Sequence, residues 1–265
     1  EIAKRDETAI TAHLGQPTAS GQGPRLDGSD AVRAYVARYV EAFGDRALAG
    51  LRLGVYQHSS VARDILVTVM QGLGAETVAL GRSDVFIPVD TEALDPQTQG
   101  LLAGWCADHG LDAVLSTDGD ADRPMLADRT GAVMPGDVLG ALSARALGAR
   151  VICTPVSSNS MIARMPDFDA VHLTRIGSPF VIAAMESVRA ETPGARVAGY
   201  EANGGFLLGF EAEGPAGPLA PLMTRDCLLP IVAPLVAARA AGQPLDALVT
   251  DLPARFTAAD RLQSI

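Results

Sequence analysis

The stretch Leu111-Asp-Ala-Val-Leu-Ser-Thr-Asp-Gly-Asp-Ala-Asp-Arg123 passes from an apolar strand candidate straight into a loop with carboxylates at 118, 120 and 122. Three such groups at alternate positions are hard to explain as a requirement of folding. Two like charges about 5 Å apart repel by about 0.8 kcal/mol in water and by about 3 kcal/mol at an effective dielectric of roughly 20. A loop that crowds three of them is therefore strained unless a cation lies between. Hard carboxylate oxygens suit Mg²⁺, which takes octahedral oxygen coordination and keeps positions open for water or a phosphate. Arg123 offers a guanidinium fork to a pair of phosphate oxygens. The run thus reads as a metal-plus-phosphate site, with Asp118, Asp120 and Asp122 as metal ligands and Arg123 as the catalytic residue that orients phosphate. A calcium loop of the helix-loop-helix type also opens Asp-x-Asp-x-Asp. It needs Gly at its sixth position and Glu at its twelfth, where this chain has Arg123 and Arg129.

Outward from this loop, residues 51–56 and 76–80 read as strands with a helix over 61–73 between them. A helix over 97–109 then leads into the strand 112–116. Such β-α-β order within about thirty residues marks a parallel α/β unit. The acidic loop then falls at the carboxyl end of a strand, where open α/β sheets bind ligands. Residues 124–134 suggest a hairpin turning at 128–131, and 137–147 a helix closing the domain. A second alternation follows: strands at 151–155, 170–174, 196–200 and 206–210, helices near 160–164 and over 179–189, a Gly/Pro loop at 214–218, a long apolar helix over 225–241 and a short one over 245–252.

Upstream, Ala31, Val32, Tyr35, Val36, Tyr39, Val40 and Phe43 recur at helical spacing, with Asp30 placed to cap the helix. Residues 1–14 are helix-compatible, and 15–29 read as a Gly/Pro/Ser/Thr linker. The expected fold class is α/β, in two consecutive domains, each a mixed, mostly parallel sheet flanked by helices. The expected divisions are 1–29 (end of a preceding domain plus linker), 30–148 (metal-binding domain), 149–257 (sugar-binding domain) and 258–265 (start of a further domain). The opening Glu1 and the break after Ile265 suggest a piece of a longer chain.

The 265 residues, 48% hydrophobic, suffice for a buried core in each domain. A formal charge of −10 without clustered Lys or Arg argues against a nucleic-acid partner. Cys106, Cys153 and Cys227 are odd in number, far apart and set in apolar runs, which fits a reduced, cytoplasmic setting. No apolar run reaches the roughly 18 residues that span a bilayer, so no membrane partner is expected.

A second constellation, Glu201-Ala-Asn-Gly-Gly205, pairs a carboxylate able to accept two hydroxyls with an amide that both donates and accepts. The Gly pair beside them permits close ligand approach. Arg175 either touches substrate or caps a surface. The segment 57–60 is polar enough for a ligand-facing turn, but Ser59 or Ser60 reads first as a helix N-cap, with His58 exposed beside it. Arg63 either pairs near Asp64 or reaches the acidic loop. His13, His109 and His172 show no ligand spacing.

The run Asp118-Gly-Asp-Ala-Asp-Arg123 resembles the metal loop Asp-Gly-Asp-Gly-Asp-Arg of the α-D-phosphohexomutases, with Ala121 in place of Gly. That exchange matters only where the position needs a positive φ. Three further segments follow the family's order. Thr174-Arg-Ile-Gly-Ser178 resembles its Thr-x-x-Gly loop, Gly199-Tyr-Glu-Ala-Asn-Gly204 resembles its Gly-Glu-x-Ser-Gly sugar loop, and Thr224-Arg-Asp226 resembles the start of its next helix. The resemblance implies the second and third of four domains in an enzyme that interconverts hexose 1-phosphate and 6-phosphate, mannose first among the hexoses. It implies Mg²⁺ on the three aspartates and a phosphoserine on an earlier loop, with a bisphosphate intermediate. It also implies Glu201, Asn203 and Arg175 on the sugar phosphate. Thr18-Ala19-Ser20 echoes the family's phosphoserine stretch but lacks its His-Asn-Pro continuation. A glucose or glucosamine phosphate, a non-catalytic metal- or phosphosugar-binding role, and a metal-dependent phosphatase stay open, as does the oligomeric state.

Overall fold

The computed structural model describes residues 4–15 and 28–256. The expected linker, the Thr18–Ser20 echo and the expected start of a further domain lie outside the described residues, wholly or for the most part. Helix α1 (Lys4–Thr11) precedes the linker, and α2 (Ser29–Phe43) opens the main body. Asp30 does not cap α2. Gly28 occupies that place without a side-chain hydrogen bond, and Asp30 instead pairs with Arg33 one turn on. A carboxylate already inside the first turn cannot fold back over the amides that open it.

The first sheet takes β1 (Arg52–Tyr56), β2 (Glu76–Leu80), β3 (Ala113–Thr117) and β4 (Pro124–Asp128) in the order β2-β1-β3-β4. The first three are parallel and β4 returns antiparallel to β3. Helix α3 (Arg63–Gly72) joins β1 to β2, and α4 (Pro96–His109) joins β2 to β3. Asp95 caps α4 by accepting from the Thr98 amide at 2.9 Å, and Pro96 begins the helix. Gly110 ends it in the left-handed region at φ 60°.

The second sheet repeats this plan. β5 (Val151–Pro155), β6 (Ala170–Thr174), β7 (Val197–Tyr200) and β8 (Phe206–Leu208) stand in the order β6-β5-β7-β8, again with three parallel strands and an antiparallel return. Helix α5 (Gly136–Ala146) precedes the sheet, a 3-10 turn at Ser160–Arg164 joins β5 to β6, and α6 (Ser178–Glu191) joins β6 to β7. A short hairpin, β9 (Ala212–Glu213) and β10 (Pro218–Leu219), follows β8. Then comes β11 (Leu222–Asp226), which pairs antiparallel with β8 on its outer side.

The strand β11 corrects the expectation that a helix starts at 225 with Thr224-Arg-Asp226 in its first turn. Helix α7 begins only at Leu229 and runs to Ala240. Asp226 ends β11 and accepts from the amides of Leu228 (2.9 Å) and Leu229 (3.3 Å), so the chain turns there, and Pro230 takes an early helical place where no amide is needed. The final helix over 245–252 is a 3-10 turn, Leu245–Val249.

Core side chains from both sheets form one continuous cluster, with Leu53 and Val55 of the first sheet and Ile152, Ala198 and Tyr200 of the second joined through α5 and α7. The outer face of the first sheet packs under α4 through Val114, Leu102 and Cys106. That of the second packs under α6 through Cys153, Val181 and Met185. The contacts of α5 run to α7 and β7, on the far side of the expected division at 148. At its start Gly136 lies so close to the Asn203–Gly204 backbone that a Cβ would come within 2.3 Å of it. All three cysteines are buried and unbridged. Among the described residues no helix is long and apolar enough to cross a membrane.

Candidate functional site: two hairpin loops facing one cleft

In each sheet the third strand and its antiparallel return are linked by a loop at the carboxyl end, residues 118–123 between β3 and β4 and residues 201–205 between β7 and β8. These are the two loops singled out in the sequence. The acidic loop brings one carboxylate oxygen from each of Asp118, Asp120 and Asp122 within 4.8 Å of the others. Asp118 is buried and accepts from the amides of Asp122 and Arg123, each at 3.2 Å, so it folds the loop as well as charging it. Burial first, then the carboxylates of Asp122 and Asp120, push its acid up to about 6. Asp122 Oδ1 is buried and accepts no hydrogen bond, with Arg123 Nε at 3.7 Å. Three hard oxygen donors this close, one with an unused buried lone pair, fit a divalent cation. Ala121 stands at φ 63°, so this position does need the left-handed region, and the alanine accepts strain that a glycine would not.

The strand end below the loop is held by His58, which is fully buried rather than exposed as expected. Its Nε2 lies 2.9 Å from the Thr117 carbonyl, which makes it the donor, and its own φ of 25° is strained. Burial, with Arg63 contributing, lowers its pKa. Ser60 Oγ accepts from the Ala62 amide at 3.1 Å and meets Thr117 Oγ1 at 2.6 Å, joining the entry of α3 to the same strand end. Arg63 donates to the carbonyls of Ser83 and His58 and does not reach the acidic loop.

The second loop is closed by its own hydrogen bonds. The Glu201 amide donates to the Gly205 carbonyl (3.1 Å), and the Gly204 amide to that of Glu201 (2.9 Å). Asn203 Oδ1 accepts from the Gly205 amide at 3.0 Å. Gly204, at φ 90° against Pro124, ties this loop to the start of β4.

Arg123, Glu201, Asn203 and Arg225 line one cavity of about 310 Å³, together with Ser178 at the N-terminal end of α6. Arg123 also lines an open cleft of about 1420 Å³ beside Asp118 and Asp120, and Glu92 lines both. The structure therefore sets Asp118, Asp120, Arg123, Glu201 and Asn203 around adjoining space, with Asp122 joined to them through its carboxylate neighbours and Arg225. Arg175 stands apart: it is exposed and its guanidinium lies over the Phe180 ring, 5.7 Å from the centroid. The other residues of its loop, Ile176 to Ser178, do line the cavity. Arg225 and Glu92 were not among the sequence candidates. Nothing in local sequence flags Glu92, whereas Arg225 lies inside the Thr224–Asp226 motif, where the sequence reads as the start of a helix.

The family description phosphoglucomutase/phosphomannomutase, alpha/beta/alpha domain II, matches residues 33–131, and domain III of the same family matches residues 135–256. A phosphomannomutase of Sinorhizobium fredii is 46% identical over 256 residues, which cover 94% of this chain and 54% of that protein. One of Salmonella muenchen is 42% identical over 269 residues, covering 100% of this chain and 55% of that protein. The crystal structure of a phosphoglucomutase/phosphomannomutase family protein from Burkholderia thailandensis shares the fold, with a TM-score of 0.72 at 20% identity over 96% of this chain and 53% of that one. The chain belongs to the phosphoglucomutase/phosphomannomutase family, the α-D-phosphohexomutases. It spans about half the length of the curated relatives it matches.

Proposed function

We propose that this chain forms the second and third domains of a phosphomannomutase that interconverts mannose 1-phosphate and mannose 6-phosphate. The carrying observation is that the acidic loop and the Glu201 loop, from two successive sheets, line adjoining space around Arg123. The 42–46% identity to proteins named phosphomannomutase favours mannose over glucose or glucosamine. In this reading Asp118, Asp120 and Asp122 hold Mg²⁺, which supplies Lewis-acid stabilisation of charge on a transferring phosphoryl group. Arg123 orients phosphate oxygens through its fork. Glu201 accepts hydrogen bonds from sugar hydroxyls, and Asn203, whose Oδ1 is engaged by Gly205, offers its amide N–H. Arg175, exposed beside the cavity, meets the phosphosugar only at the rim. A phosphoserine and the grip on the distal phosphate come from segments beyond this chain, through a bisphosphate intermediate, and the setting is cytoplasmic. The two domains divide close to Pro135, where the second family match begins.

The test is ³¹P NMR of mannose 1-phosphate incubated with the protein at the length of its relatives, with and without Mg²⁺. Conversion to the 6-phosphate that falls at least about a hundredfold in Asp120→Asn supports the reading. Release of inorganic phosphate without isomerisation indicates a phosphatase, and binding without turnover indicates a carrier.

A further inference from the structure

Between the two loops stands a cation that neither of them supplies. Arg225, on β11, places one guanidinium nitrogen 2.6 Å from Asp122 Oδ2 and another 3.8 Å from Glu201 Oε2. Its stem lies flat on the second loop, since a Cβ on Gly205 would come within 3.1 Å of its Cγ and Cδ. The next residue, Asp226, fixes the strand end: it is buried and accepts from the amides of Leu228 and Leu229 and from the hydroxyls of Tyr35 and Tyr39. Among the described residues the first sheet has no strand equivalent to β11. Arg225 therefore reaches the acidic loop from a rigid mount on the other domain.

We propose that Arg225 is a positioning residue that holds Asp122 by Oδ2 so that Oδ1 is presented to a divalent cation, and that it thereby couples the acidic loop to the Glu201 loop. The inference rests on the metal reading given above. A carboxylate ligand needs an outer partner to fix its orientation, and loss of such a partner typically costs about ten- to a hundredfold in metal affinity. Charge alone works in the opposite direction. A guanidinium beside a metal site repels the metal, so if Arg225 acted only by charge its removal would tighten binding. The sign of the change separates the two roles. Lysine keeps the charge but not the fork that reaches two carboxylates.

The experiment is a Mn²⁺ titration of this chain, with free Mn²⁺ read by electron paramagnetic resonance, for the wild type, Arg225→Ala and Arg225→Lys. Thermal melts by circular dichroism accompany it. The expected result is affinity weakened about tenfold or more in Arg225→Ala, no recovery in Arg225→Lys, and unchanged melts. Hydrogen exchange with and without Mg²⁺ reads the coupling: the metal slows exchange over residues 201–205 in the wild type, and Arg225→Ala loses that slowing. Equal or tighter Mn²⁺ binding in folded Arg225→Ala overturns the inference and leaves the metal reading standing. Absence of Mn²⁺ binding in the wild type overturns the metal reading and the inference with it. Where Arg225→Ala does not melt cooperatively, Arg225→Lys decides by the same sign.

Discussion

The loops at 118–123 and 201–205 occupy the same place in two sheets of the same plan, yet they are built on opposite principles. The first concentrates charge and strain: three carboxylates share one small volume, burial and crowding push Asp118 up to about 6, and Ala121 sits at φ 63°. The second is relaxed. Its backbone closes on itself, Asn203 Oδ1 takes the Gly205 amide, and Gly204 occupies the left-handed position at φ 90°. Equivalent topology thus fixes where a site lies, and local chemistry decides which partner it takes. A crowded acidic loop is completed by a cation, whereas a self-satisfied loop presents a fixed edge of donors and acceptors to a neutral polar group.

This contrast can be broken most sharply at Glu201. If the second loop only reads the sugar, Glu201→Gln removes a charge-assisted hydrogen bond of about 1.5 to 3 kcal/mol. On the reading proposed above, kcat/KM for mannose 1-phosphate, measured on protein of the length of its relatives, should then fall roughly ten- to a hundredfold, while Mn²⁺ affinity stays within about twofold of the wild type. A matching loss of metal affinity would show that the loops do not divide the work as described.

The anchor beneath the second loop gives a smaller effect. Tyr39→Phe takes one hydroxyl from the buried carboxylate of Asp226 and should lower unfolding stability by about 1 to 3 kcal/mol, read as a shift of the urea midpoint at unchanged slope. An unmoved midpoint would mean that Asp226 is satisfied without it. The smallest change sharpens the strain in the first loop. An L-residue in the left-handed region costs about 1 to 2 kcal/mol, and glycine's extra chain entropy returns roughly 0.5 to 1 kcal/mol of that. Ala121→Gly should therefore raise stability by about 0.5 to 1 kcal/mol in urea titration, and a loss of stability would deny the strain.

Much of the fold was legible because the parallel strands are short, β-rich and punctuated. Strands Glu76–Leu80, Val151–Pro155 and Ala170–Thr174 have the ends that the sequence suggests. Strand β11 was not legible. Residues 222–226 lead into the apolar stretch that becomes α7 with no Gly or Pro between them, and periodicity over so few residues does not divide a strand from a helix. The turn is set by Asp226, whose partners Tyr35 and Tyr39 come from α2, far away in the chain. His58 misled for a related reason: a histidine in a polar turn reads as exposed until the Thr117 strand end closes over it.

Sequence alone determined the acidic triad, the Glu201–Gly205 turn and the alternation that sets each at the carboxyl end of a strand, because these depend on spacing within a few residues. Only the tertiary structure decided that the two turns line adjoining cavities and that Arg225 spans them. It also placed Arg175 at the rim, over the Phe180 ring. Those facts depend on how two sheets dock through α5 and α7, and long-range packing leaves no periodic trace in a single chain.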